Sequence, residues 1–258
     1  MNEQILWAFV ATLGTWGLTA LGAATVLFFR SCTRYILDSL LGFSSGVMMA
    51  ASFWSLLLPA VERAGDAAWV VVTGGFLAGA LFLWAADKAV LLAKQRYGVG
   101  GDRRRDRIGM LVLSITLHNI PEGLAVGVAF GALTSPSNEG WMGAVAVAVG
   151  IGLQNFPEGA AVSLPLRREG VSRFRSFFWG QASGMVEPIA GVIGAWLVLY
   201  VQTILPFALS FAAGAMMLVA VHELIPECQR ERDNQPYLAT AGIVFGFAVM
   251  TLLDVALG

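Results

Sequence analysis

His118-Asn119-Ile120-Pro121-Glu122-Gly123 and Gln154-Asn155-Phe156-Pro157-Glu158-Gly159 are two copies of one pattern, 36 residues apart, each inside a long apolar run. A carboxylate at the centre of a bilayer costs roughly 2.5–3.5 kcal/mol even on the lenient insertion scale, so an intramembrane acid points to function before structure. Within each copy the first residue and the Glu are four apart, which on a helix places both side chains on one face, about one turn from each other. That face carries an imidazole, an amide and two carboxylates. These donors suit a borderline divalent cation such as Zn²⁺, and the oxygens suit harder ions as well.

Pro121 and Pro157 lack the N–H that would bond four residues back, which frees the carbonyls of Leu117 and Leu153. In a membrane such backbone survives where it is packed in protein or lines a wet cavity. Kink and ligands are expected to coincide.

Outward from the motifs, 57% of the 258 residues are hydrophobic and 13% are charged, and mean hydropathy is +0.72. A soluble domain carries about 25% charged residues. The chain reads as an all-α polytopic membrane protein whose surroundings are the lipid bilayer. A net charge of −1 offers nucleic acid no footing. Cys32 and Cys228 form no CxxC pair, disulfide framework or structural zinc pattern. The start, Met-Asn-Glu-Gln, has no basic n-region, and the run from Ile5 to Phe29 is too long for a signal peptide core, so it is expected to stay as the first span.

Runs long enough to cross about 30 Å of hydrocarbon lie at approximately 5–29, 36–61, 67–92, 108–133, 141–166, 174–200, 203–226 and 237–257. This predicts eight transmembrane helices in a single domain, 1–258, with a loop at 93–107. Short polar connections with Gly, Pro and Asn separate most of them, as at Ser135-Pro136-Ser137-Asn138 and Asn234-Gln235-Pro236. Fifteen of the sixteen Lys and Arg residues fall in or beside alternate connections: Arg30 and Arg34, then Lys88 to Arg107, then Arg167 to Arg175, then Arg230 and Arg232. Arg63 alone falls on the other side. The positive-inside rule then places those connections in the cytoplasm and both termini outside, in a cell (inner) membrane.

In that topology His118/Glu122 and Gln154/Glu158 sit near the middle of antiparallel spans four and five, the depth at which transporters hold substrate. The copies share Asn, Pro, Glu, Gly, Ala and Val in register, with Ala125-Val126 matching Ala161-Val162. Gly46-Val47-Met48-Met49 in span two echoes Gly214-Ala215-Met216-Met217 in span seven, again in opposite directions. An inverted repeat laid out as three, two and three spans fits both.

These residues resemble the ZIP (Zrt- and Irt-like protein) divalent metal transporters, especially their short bacterial branch, over nearly the whole chain. The paired HNxPEG and QNxPEG motifs are the specific part of the likeness. The resemblance implies a carrier that takes Zn²⁺, and often Cd²⁺, Fe²⁺ or Mn²⁺, into the cytoplasm as substrate, with no organic cofactor. It also implies a binuclear centre between helices four and five. Carried over by motif position, the first metal site uses His118, Glu122, Gln154 and Glu158. The second uses Asn119 and Asn155, with Glu122 and Glu158 as bridging candidates and Glu187 completing it. Glu187 also stands out from the residues alone, as an acid followed by Pro188 inside an apolar span. Many family members have His where this chain has Gln154, which makes the first site harder. The resemblance further implies an elevator in which helices one, four, five and six slide against two, three, seven and eight.

His222-Glu223-Leu224-Ile225-Pro226-Glu227, at the end of span seven, resembles the start of a zincin HExxH but lacks its second His. It is read as an exit-path metal relay. Met48, in span two, offers the ion a thioether or simply packs the core. Asp254, near the outer end of span eight, could attract cations at an entrance. Asp87 and Asp38 are expected to be exposed or paired with Lys88 and Arg34. An intramembrane metalloenzyme, with the same centre activating water, is the alternative from another class, and a selective channel is a third. The sequence leaves open whether the protein works as a homodimer.

Overall fold

The computed structural model describes residues 2–29, 33–97, 103–133, 140–229 and 236–257, the side chains of 93–97, 103–108, 110, 111, 114 and 236 excepted. Among these residues the backbone forms helices and turns and no strand. In hydrocarbon a helix satisfies every backbone polar group within its own segment, so an apolar chain of this kind folds as helices. In order they are α1 (Glu3–Phe28), α2 (Arg34–Ala50), α3 (Leu58–Ala64), α4 (Ala68–Tyr97), α5 (Arg103–Gly131), α6 (Trp141–Arg168), α7 (Arg173–Ala182), α8 (Val186–Tyr200), α9 (Leu205–Val219), α10 (Ile225–Cys228) and α11 (Pro236–Leu257). Six stretches among the described residues are long and apolar enough to cross a membrane: Glu3–Phe28, Arg34–Leu92, Trp141–Arg168, Arg173–Tyr200, Gln202–Cys228 and Tyr237–Leu257. This is a multi-pass membrane protein.

Several residues named from the sequence lie outside the described set. They are Arg30 and Cys32, the Ser135–Asn138 turn, Arg230 and Arg232, and Asn234-Gln235, together with the side chains of Lys94, Arg96, Arg103 to Arg105 and Arg107. Within the stretch 93–107 read as a loop, helical backbone continues to Tyr97 and resumes at Arg103.

Three helical runs change pitch where a proline interrupts the hydrogen-bond ladder. A π segment, Ala51–Leu57, joins α2 to α3 just before Pro59, and another, Ala220–Leu224, joins α9 to α10 just before Pro226. Each proline lacks the N–H its helix needs, and the ladder slips by one residue to accommodate it. Between α7 and α8 a tighter 3₁₀ turn, Ser183–Met185, precedes Glu187-Pro188. Gly65, at φ 56°, ends α3 in a left-handed conformation that costs glycine nothing, and the chain turns there into α4.

The helices pack as two sets. In one, α1 lies on α6, and α5 lies on α8, at backbone contact. A methyl at Gly159 would strike the Thr19 carbonyl, and one at Gly123 the Glu187 carbonyl. In the other, α2 packs on α11 and α4 on α9 in the same way, Gly46 against the Ile243 carbonyl and Gly214 against the Phe76 carbonyl. Small residues permit such approach between membrane helices, where dispersion and close packing take the place of the hydrophobic effect. Between the sets the contact differs. Among the described residues one glycine, Gly150 of α6, faces across, and it meets the flexible Met250 side chain of α11 rather than backbone.

Candidate metal centre

The two motifs lie near the middle of α5 and α6, and both prolines stand inside helices that run on through them. His118, Asn119, Glu122, Gln154, Asn155, Glu158 and Glu187 are all buried. Seven polar side chains at that depth require partners, and most of the hydrogen bonds run between the motifs and their neighbours. Gln154 Nε2 donates to Glu122 Oε1 at 2.7 Å. Asn155 Nδ2 donates to Glu187 Oε2 at 2.8 Å. From α2, the Ser44 hydroxyl reaches Glu158 Oε1 (3.2 Å) and the Gln154 carbonyl (2.6 Å).

Four oxygens of these side chains nonetheless have no hydrogen-bond partner: Asn119 Oδ1, Glu122 Oε2, Gln154 Oε1 and Asn155 Oδ1. A buried acceptor left unpaired costs about 1–3 kcal/mol. All four belong to the two motifs, and each is a hard oxygen donor. Oxygens of this kind suit a cation.

One turn from the centre, His118 Nε2 lies 2.6 Å from Glu223 Oε1. Asp87 joins them: one ligand atom from each of Asp87, His118 and Glu223 lies within 4.8 Å of the others. This corrects the reading of Asp87, whose carboxylate turns inward while the neighbouring Lys88 sits over the Trp84 ring at 5.6 Å. Adjacent residues of a helix point about 100° apart, so a pair in sequence need not be a pair in space. His222 is exposed and stands within electrostatic reach of Asp87. Asp38 does pair with Arg34, at 2.8 Å, and Arg34 also holds Glu227 at 3.0 Å, tying α2 to α10. Met48 is fully buried, one turn along α2 from Ser44. At the far end of the bundle Asp254 accepts a hydrogen bond from Ser55 at 2.6 Å. Both line a cavity of about 380 Å³, which shares Arg63 and Ala129 with a neighbouring one of about 760 Å³.

The sequence reading gave Asp87 no part in the site and missed Ser44, and Thr15 and Thr19 of α1, whose hydroxyls both reach Glu187. A signal for the threonines exists in their spacing, which puts Thr12, Thr15 and Thr19 on one face of an apolar helix.

The profile of the ZIP zinc transporter family matches residues 99–254, which hold both motifs, Glu187 and the His222-Glu223 pair. The chain belongs to the ZIP family. Human zinc transporter ZIP11 is 39% identical over 340 aligned positions, covering 100% of this chain and 99% of its own length. Zinc transporter GufA of Myxococcus xanthus is 38% identical, covering 96% of this chain and 98% of its own. Zinc transporter ZIPB of Bordetella bronchiseptica is 36% identical over 93% of this chain and 78% of its own. As a ZIP protein, the chain sets its buried polar groups where the family profile and the paired motifs overlap.

Proposed function

We propose that this ZIP protein carries divalent metal, Zn²⁺ foremost, into the cytoplasm through a binuclear centre between α5 and α6. The observation that carries the reading is the set of four buried, unpartnered oxygens of Asn119, Glu122, Gln154 and Asn155. Two cations, one on Glu122 and Gln154 and one on Asn119 and Asn155, would supply the missing partners. The relatives' names give zinc as their cargo. In this reading His118, Glu122, Gln154 and Glu158 hold the first ion, with Met48 facing it, and Asn119, Asn155 and Glu187 build the second site. Cd²⁺, Fe²⁺ and Mn²⁺ enter the same donors.

The chain crosses the membrane eight times in this account. Arg34–Leu92 is 59 residues of helix, enough for two spans turned at Gly65, and α5 supplies one more. The glycine contacts support a repeat of opposite direction. Gly159 meets Thr19 as Gly123 meets Glu187, and Gly46 meets Ile243 as Gly214 meets Phe76. The same contacts support an elevator, because, among the described residues, the glycines that meet backbone of another helix do so within {α1, α5, α6, α7–α8} and within {α2–α3, α4, α9–α10, α11} but not between them. With both termini outside, ions collect at Glu62 and Asp254 in the outer cavities. They leave past Asp87, Glu223 and His222 at the cytoplasmic end.

The test is uptake of Zn²⁺, Cd²⁺, Mn²⁺ and Fe²⁺ into metal-free proteoliposomes, with Glu122→Ala and Glu158→Ala in parallel. Saturable uptake, reduced at least about 100-fold in both variants, is expected, since losing a ligand should exceed the 10–100-fold typical of its supporting groups. Tight binding without flux would replace the carrier by a metalloenzyme.

A further inference from the structure

Helix α1 supplies no ligand to the centre, yet it turns a buried hydroxyl face toward it. Thr12, Thr15 and Thr19 are 0%, 2% and 1% exposed. A threonine in a membrane helix ordinarily returns its proton to its own preceding turn, and Thr12 does so, at 2.7 Å from the Ala8 carbonyl. Thr15 is placed otherwise. Its hydroxyl lies 2.5 Å from Glu187 Oε2 and 3.1 Å from the Thr12 carbonyl, and its single proton goes to the nearer acceptor, the Glu187 carboxyl oxygen. Thr19 reaches the other oxygen, Glu187 Oε1, at 3.3 Å. The approach depends on the 3₁₀ turn before Glu187, where a side chain at Gly184 would crowd both Glu187 and Thr19.

Glu187 in turn accepts from Asn155 Nδ2. An amide is planar, so fixing the nitrogen edge on Glu187 fixes the oxygen edge on the opposite side. That oxygen, Asn155 Oδ1, is one of the four with no partner. The order of control runs from α1 hydroxyls to Glu187, and from Glu187 to the amide that faces the ion.

We infer that Thr15 and Thr19 are positioning residues of the metal centre, holding the Glu187 carboxylate and through it the Asn155 carbonyl oxygen in the geometry that receives a divalent cation. The inference rests on the metal-centre reading given above. Partners that orient ligands typically contribute 10–100-fold in metal affinity.

The experiment is Cd²⁺ titration of the purified full-length chain, alongside KM and kcat for Cd²⁺ uptake, for Thr15→Val, Thr15→Ser, Thr19→Val, Glu187→Gln, Thr15→Val in the Glu187→Gln background, and Glu122→Ala. Thr15→Val is expected to weaken binding about tenfold and to raise KM more than it lowers kcat. Thr15→Ser, which keeps the hydroxyl, is expected to restore affinity. Thr19→Val should have a smaller effect of the same kind, and Thr15→Val should add little once Glu187 is Gln, because the two act as one unit. Unchanged affinity in Thr15→Val, equal loss in Thr15→Ser with thermal unfolding intact, or full additivity with Glu187→Gln would overturn the positioning role. Wild-type affinity in Glu122→Ala would instead overturn the centre itself.

Discussion

Gln154 donates its amide N–H to Glu122 and so leaves its own oxygen, a neutral hard donor, without a partner. Replacing it with imidazole changes softness more than shape. Gln154→His is expected to shift competition between Zn²⁺ and Mn²⁺ toward Zn²⁺ by about tenfold, read from uptake of each metal with the other present. Asp87, beside His118 and Glu223, stands on the proposed exit path. Asp87→Asn is expected to lower kcat about tenfold while Cd²⁺ affinity changes less, because a release step is slowed and the primary ligands are kept. The motif residues were legible because buried acids in register are costly and therefore conspicuous. Asp87 was not, since an acid near a span end beside a lysine has the pattern of an ordinary interfacial pair. Its contacts with His118 and Glu223 are tertiary and leave no mark on local sequence.

At the scale of helices, glycine sorts the contacts into fixed and movable. Gly127 of α5 faces the backbone of Gly191 in α8, so Gly127→Leu is expected to cost about 2–5 kcal/mol and to lower the unfolding temperature sharply. Gly150→Leu meets only the Met250 side chain. Its unfolding temperature should stay near wild type while uptake slows, because the bulk stands in the path of sliding rather than in a fixed joint. Hydropathy placed the apolar runs on which the helices lie, and the shared motif marked α5 and α6. The π segments beside Pro59 and Pro226 and the 3₁₀ turn before Glu187 escaped it. Hydropathy does not change when a ladder slips by one residue, and a proline says only that something must give.

Across the whole molecule, binding to carboxylates and imidazole requires that they be deprotonated. Protons therefore compete with cargo, and Zn²⁺ uptake should fall as external pH drops from about 7.5 to 5. A flat profile would speak against these ligands. The larger consequence is mechanical: in the proposed elevator the centre would ride on α1, α5, α6 and α7–α8, while Ser44 of α2 reaches Glu158 and Glu223 and Asp87 of the other set meet His118. The most direct measurement joins the two sets across their soft contact, with Cys introduced for Gly150 and Met250 in a chain whose Cys32 and Cys228 are Ser. Oxidation to a disulfide between α6 and α11 is expected to stop Zn²⁺ uptake in proteoliposomes, to leave Cd²⁺ binding in place, and to be reversed by reduction. Full uptake through completely cross-linked protein would contradict the moving carrier and leave a fixed-site channel.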